Sequence, residues 1–143
     1  MIFSFGHSEQ ERIEVEVQGY ERKPVGEYYD DNWLNVEIRV RVGGFRGNAS
    51  ATILTRELTN FLAQLRPLHA TLLGTAEFTT MEGQLGLRLA GNGKGHIDLS
   101  GEVADQSGIG NRLHFALKFD QTLLGSSICE LERVTKEYPE RVT

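Results

Sequence analysis

A chain of 143 residues with 39% hydrophobic and 24% charged residues has the composition of a globular protein, far from the polar, aromatic-poor profile of a disordered chain. At this length about two-thirds of the unfolded surface is buried on folding, which suits one domain spanning residues 1–143. Twenty acids against fifteen bases give a net charge of −5, which repels phosphate backbones and argues against nucleic acid as a partner.

The chain opens Met1-Ile2-Phe3-Ser4-Phe5-Gly6-His7, with neither a basic n-region nor a long apolar h-region. No stretch approaches the roughly 20 apolar residues of a membrane span, so neither secretion nor insertion is expected. From Arg12 to Gln18, Ile13, Val15 and Val17 alternate with Glu14 and Glu16, the period of a strand with one dry and one wet face. The same alternation runs from Trp33 to Val42, with Leu34, Val36, Ile38 and Val40 on one side and Asn35, Glu37, Arg39 and Arg41 on the other. Between these strands lies a polar loop, Tyr20 to Asn32. Gly43-Gly44 supplies a tight hairpin turn, so Phe45 to Leu54 folds back antiparallel, with Gly47 a candidate bulge.

At Thr55, a candidate N-cap, the period changes. Leu58, Phe61, Leu62, Leu65, Leu68 and Leu72 form a helical stripe, which Pro67 is expected to kink or end, leaving Leu68 and Leu72 to a second short turn. Thr75 to Met81 returns to strand propensity. Two more alternating runs flank Gly91-Asn92-Gly93-Lys94-Gly95, and a third follows the loop Asp105 to Gly110 with Leu113, Phe115, Leu117 and Phe119 inward. Asp120 can cap a last helix carrying Leu124, Ile128, Leu131 and Tyr138, which Pro139 ends; the tail from Glu140 to Thr143 is expected to fray. Four early strands, a helix, four later strands and a helix suggest two similar halves, though no residue-level repeat is visible. The economical solution is an α+β fold: an antiparallel sheet of about seven to eight strands with two helices packed on one face.

The chemical motifs are few. Gly91 to Gly95 resembles a phosphate loop only in its glycines: no Ser or Thr follows Lys94, and a strand rather than a helix comes next, so a glycine-rich hairpin explains it. His96, Asp98, Glu102 and His114 could cluster on one sheet face. Simple pairing sets Asp98 near Lys118 and Glu102 near His114, so charge pairing accounts for them and no metal is assigned. Glu14 and Glu16 face Arg39 and Arg41 as a salt ladder rather than an acid–base pair. His7 and His69 read as surface or packing residues. The one cysteine, Cys129, cannot form an intramolecular disulfide, fits a reducing cytoplasm and reads as a buried structural residue. No nucleophile elbow, zinc-protease helix or dinucleotide fingerprint occurs, so no catalytic residue and no cofactor is assigned.

The most informative segment is Glu27-Tyr28-Tyr29-Asp30-Asp31-Asn32-Trp33, where acids and amides surround three large aromatics. Tyr and Trp anchor interfaces, and carboxylates steer a basic partner. Tyr28, Tyr29, Asp30, Asp31 and Trp33 are the partner-binding candidates; the bland alternative is that Trp33 and one Tyr cap the core edge while the acids stay solvated.

Taken with Asn32-Trp33-Leu34, Gly43-Gly44-Phe45, Phe61-Leu62-Ala63-Gln64-Leu65, the run from Leu85 to Glu102 through Gly93-Lys94-Gly95-His96, and Asn111-Arg112-Leu113 to Asp120-Gln121-Thr122, the chain resembles the WapI family of bacterial immunity proteins from about residue 30 to 139. The resemblance rests on strand, turn and helix patterns. It implies a non-enzymatic module that neutralises a cognate toxin domain, with a basic toxin domain as one fitting partner. It brings no catalytic positions. The rival reading is a small-molecule binding domain or cryptic enzyme with a pocket between helices and sheet, and the sequence leaves the oligomeric state open.

Overall fold

The computed structural model describes residues 1–142. Its strands are β1 (Ile2–Ser8), β2 (Glu11–Tyr20), β3 (Trp33–Val42), β4 (Phe45–Leu54), β5 (Thr75–Phe78), β6 (Leu85–Gly91), β7 (His96–Ala104) and β8 (Arg112–Asp120). Its helices are α1 (Tyr28–Asp31), α2 (Thr55–Thr71) and α3 (Leu124–Glu137), the last entered through a 3₁₀ turn over Gln121–Leu123. The α+β class and antiparallel pairing are as expected. The eight strands, however, form two four-stranded sheets, β1-β2-β3-β4 and β5-β6-β7-β8, rather than one.

The split follows from burial. Each strand dries one face only: Leu34, Val36, Ile38 and Val40 of β3, and Ile97 and Leu99 of β7, are at most 1% exposed. One wide sheet would leave its dry face to two helices alone. Two smaller sheets instead share a continuous core with α2 and α3. Phe61 of α2 lies 5.8 Å from Phe5 of β1 and 5.0 Å from Phe78 of β5, and Phe5 lies 6.3 Å from Phe119 of β8, so aromatic contacts run from one sheet to the other. α2 packs on β5 and on α3, and α3 packs on β1.

Several local expectations are corrected. Gly43, with φ +60°, makes the hairpin turn as its sequence requires, but the β3–β4 register passes Gly47 without a bulge. The bulges sit at Gly6/Ser8 and Val17/Gly19; at Gly6 a Cβ would meet the Glu11 carbonyl at 2.1 Å, so only glycine fits. Thr55 is the first helical residue rather than the cap: its hydroxyl is buried against Asn32 Oδ1 at 3.0 Å, and the Glu57 carboxylate accepts the Leu54 N–H at 2.7 Å instead. α2 does not end before Pro67. Leu65 and Leu68 bury on either side of it, and Leu72 closes the helix in the left-handed region with its N–H on the Leu68 carbonyl. Asp120 caps the 3₁₀ turn that leads into α3 rather than α3 itself, accepting the Thr122 N–H at 2.9 Å.

The wet faces carry the anticipated ladders. Arg39 bridges Glu14 at 3.1 Å and Glu16 at 2.5 Å, while Arg41 turns to Glu9 at 3.1 Å. On the second sheet Asp98 faces Lys118 at 3.7 Å, and Glu102 faces both Arg112 at 3.1 Å and His114 at 3.5 Å. Among the described residues no three His, Cys, Asp or Glu side chains converge as a metal shell needs. Cys129 is exposed, not buried: α3 buries Leu124, Ser127, Ile128, Leu131 and Val134, and position 129 falls one residue off that stripe.

Candidate functional site

The segment singled out by its aromatics is an ordered loop from Glu21 to Glu27 followed by the single turn α1. Its order comes from two adjacent side chains that fill no apolar core. The Asp31 carboxylate accepts the N–H groups of Val25 at 2.9 Å, Gly26 at 2.9 Å and Glu27 at 3.1 Å, folding the loop back on itself. Those bonds, the Val25 N–H first, hold the Asp31 carboxyl below its ordinary pKa. Asp31 is 2% exposed, so it supports the loop from within.

Asn32 ties the turn to two distant parts of the chain. Its amide nitrogen donates to the carbonyls of Tyr28 at 2.7 Å and Arg141 at 2.8 Å, and its oxygen accepts the Arg141 N–H at 2.7 Å and the Thr55 hydroxyl at 3.0 Å. The Arg141 guanidinium stacks 3.5 Å from the centroid of the Tyr20 ring and donates to the Arg22 carbonyl at 3.0 Å. Tyr20 donates to the Pro139 carbonyl, and the Tyr28 hydroxyl donates to Glu140. The tail over Pro139–Arg141 therefore straps the loop instead of fraying; Thr143 lies outside the described residues.

On this base the remaining candidates take different positions. Tyr29 is 47% exposed, its ring edge-on to Tyr28 at 5.2 Å and covered on one face by Arg56 at 5.0 Å. Tyr28 is half-buried under the tail. Trp33 is also half-buried and opens β3 opposite Leu54, so it is continuous with the first sheet rather than with the loop tip. Asp30 is exposed and paired with Arg22 at 3.2 Å. Val25 adds an exposed apolar side chain at the loop tip. The structure thus joins Tyr28, Tyr29 and Asp30 in one patch, sets Trp33 beside it, and places Asp31 beneath it.

The patch is less acidic than its sequence suggests, because Arg22, Lys23, Arg56 and Arg141 stand among Glu21, Glu27, Asp30, Asp31 and Glu140. Sequence reasoning missed Asn32 as a hub and Arg141 as a strap. Asn32 was legible only as one amide beside the aromatics, and nothing in the tail announces that Arg141 returns to residue 32. Elsewhere a groove of about 730 Å³ runs between α2 and α3, lined by Arg66, His69, Ile128, Cys129, Glu132 and Arg133 among others, with Arg66 and Glu132 spanning it at 3.8 Å.

The fold and this surface define an α+β module whose distinctive feature is a strapped aromatic loop. Compared with known proteins, residues 3–139 match the immunity protein WapI-like family, and the chain belongs to that family. The match spans nearly the whole chain and extends the resemblance, drawn from about residue 30 to 139, toward the N-terminus as far as residue 3. Immunity proteins are in general non-enzymatic, and the family suggests an inhibitor role against a protein toxin. No curated protein matches the chain. Among solved structures, that of the plant transcriptional regulator PBF-2 is similar at 11% identity, with a TM-score of 0.52, over 96% of this chain and 81% of that one; the likeness shows the fold alone. No helix among the described residues is long and apolar enough to cross a membrane.

Proposed function

We propose that this chain binds and neutralises a cognate toxin domain through the strapped loop, with Tyr28, Tyr29, Asp30 and Trp33 as contact residues and Asp31 as their internal support. The observation that carries the reading is the tethering. A loop whose backbone is fixed by Asp31, Asn32 and Arg141 presents Tyr29 and Val25 without the ordering cost that a free loop adds to association. Aromatic anchors with few rotatable bonds suit such a site. Because basic side chains offset the acids locally, contact area rather than long-range charge supplies most of the affinity, and the association rate falls only moderately with salt.

The test begins with the tagged protein in lysate of its source, identifying by mass spectrometry what co-elutes, and continues with titration calorimetry of the purified pair. Tyr29→Ala and Trp33→Ala are expected to weaken binding by about 2 kcal/mol each, roughly thirtyfold in Kd, with the melting temperature of the free protein nearly unchanged for Tyr29→Ala. Unaltered affinity in both variants removes the loop from the interface. The groove between α2 and α3 favours one other reading, a small-molecule site; a metabolite that raises the melting temperature, and loses that effect in His69→Ala, would support it over the inhibitor role.

A further inference from the structure

Each sheet has two edges, and an open edge pairs with another chain unless something blocks it. Which backbone groups point outward follows from the ladders. In β1 Val17 and Met1 exchange hydrogen bonds, so Ser4 points outward. Its N–H is taken by Glu130 at 3.0 Å and its carbonyl by the Ser127 hydroxyl at 2.5 Å, both from α3. In β5 the Gly91 N–H meets the Gly74 carbonyl, so Glu77 points outward. The Gln64 amide from α2 takes both its groups, at 2.9 and 3.0 Å. In β4 the Ser50 carbonyl accepts from Gln84 at 3.1 Å and the Leu54 N–H is held by Glu57 at 2.7 Å, so this edge is clamped at two points in its second half.

The edge of β8 has no such clamp. Gln121 donates to the Gly95 carbonyl and Asp105 to that of Asn111, so Arg112, His114, Ala116, Lys118 and Asp120 turn their N–H and carbonyl groups away from β7. Among the described residues nothing hydrogen-bonds the backbone of His114, Ala116 or Lys118 on that side, and all three residues are exposed. β1 and β5 carry side chains that imitate a neighbouring strand and β4 is clamped in part, whereas among the described residues β8 carries no such clamp at His114, Ala116 or Lys118.

We propose that β8 pairs antiparallel with β8 of a second copy, about a twofold axis at Ala116, joining two four-stranded sheets into one of eight strands. The occupant follows from self-complementarity. Centring on Ala116 sets the smallest side chain of the wet face against itself. It then places Arg112 of each copy opposite Asp120 of the other, and His114 opposite Lys118. The interface is isologous and closes, so association stops at the dimer. It lies on the second sheet, while the strapped loop lies between β2 and β3 of the first, so the inference is independent of the inhibitor reading.

Sedimentation equilibrium from micromolar to near-millimolar concentration tests it, comparing the wild type with Ala116→Pro and Arg112→Glu. Proline at 116 removes only an outward N–H and leaves the ladder to β7 in place, so circular dichroism and the melting temperature stay close to wild type. The wild type is expected to double its sedimenting mass with concentration. Ala116→Pro loses the central pair of hydrogen bonds and raises the dimer dissociation constant about tenfold or more; Arg112→Glu, facing Asp120, also raises it. A wild type that stays monomeric throughout overturns the proposal, as does a dimer equally strong in Ala116→Pro. A monomeric wild type whose binding of a different protein is abolished by Ala116→Pro also overturns it, and assigns the edge to an extended segment of that protein.

Discussion

At the residue scale, Asp31 and Asn32 show how a loop can be rigid without an apolar core. Three N–H donors converge on one carboxylate, and charged acceptors make stronger hydrogen bonds than neutral ones. Since the Val25, Gly26 and Glu27 N–H groups hold the Asp31 carboxyl below its ordinary pKa, the unfolded chain binds its proton at a higher pH than the folded chain does. The resulting stabilisation is complete above the ordinary carboxylate pKa of about 4, and is lost as pH falls through the lower, folded value. Asp31→Asn is therefore expected to lower stability at pH 7 and to flatten its decline below about pH 4, because the variant has nothing to titrate there. Urea midpoints of both proteins at neutral and acidic pH check this. Parallel pH profiles would mean that the carboxylate charge is not linked to folding. A residual acid slope remains in the variant, since Glu16, paired with Arg39, and Asp105 and Asp120, bonded to Asn111 and Thr122, are also lowered.

At the scale of elements, α2 sets burial against local propensity. Proline inside a helix lacks an N–H and crowds the previous turn, at a cost of about 3 kcal/mol relative to alanine. α2 nonetheless continues past Pro67 because Leu65 and Leu68, on either side of it, are both at most 2% exposed and hold the helix to the core. Pro67→Ala restores the missing donor but frees the unfolded chain, which returns about 0.4–1 kcal/mol of the gain. The net expectation is stabilisation by about 2 kcal/mol, read as a higher urea midpoint with an unchanged slope. Destabilisation would show instead that the proline ring itself helps to seat Leu68 in the core. The same contrast explains what could be read before the structure was known. Strand periodicity in β2, β3, β7 and β8 is local, and so was legible, as was the pairing of Asp98 with Lys118 that follows from a simple hairpin register. Pro67 was misjudged because its neighbours' burial is a tertiary fact. The strap was illegible because Arg141 meets Asn32 across 109 residues of sequence, and the exposure of Cys129 turned on a single step around a helix.

At the scale of the whole molecule, the question is whether two sheets that share no backbone hydrogen bond unfold as one unit. Local periodicity cannot answer it, since two facing sheets and one wide sheet give the same alternation along every strand. The answer lies in side chains that touch both sheets, and Phe61 is the clearest: it is fully buried, and its ring meets Phe5 of the first sheet and Phe78 of the second. Removing it opens a cavity between the halves, at a cost of about 3–5 kcal/mol, a large fraction of the 5–15 kcal/mol that holds an ordinary domain together. If the halves unfold together, Phe61→Ala shifts the fluorescence of Trp33, the single tryptophan and a reporter on β3, by the same amount as the loss of amide protection in β7 and β8. Phe61→Leu, costing about 1 kcal/mol, gives the same comparison if the alanine variant does not fold. Transitions that separate in either variant would mean that each sheet, with its own helix, holds its own stability. Coincident transitions would mean that the aromatic bridge makes one cooperative structure of two halves, so that the strapped loop on the first sheet and the bare β8 edge on the second are carried by the same folded unit.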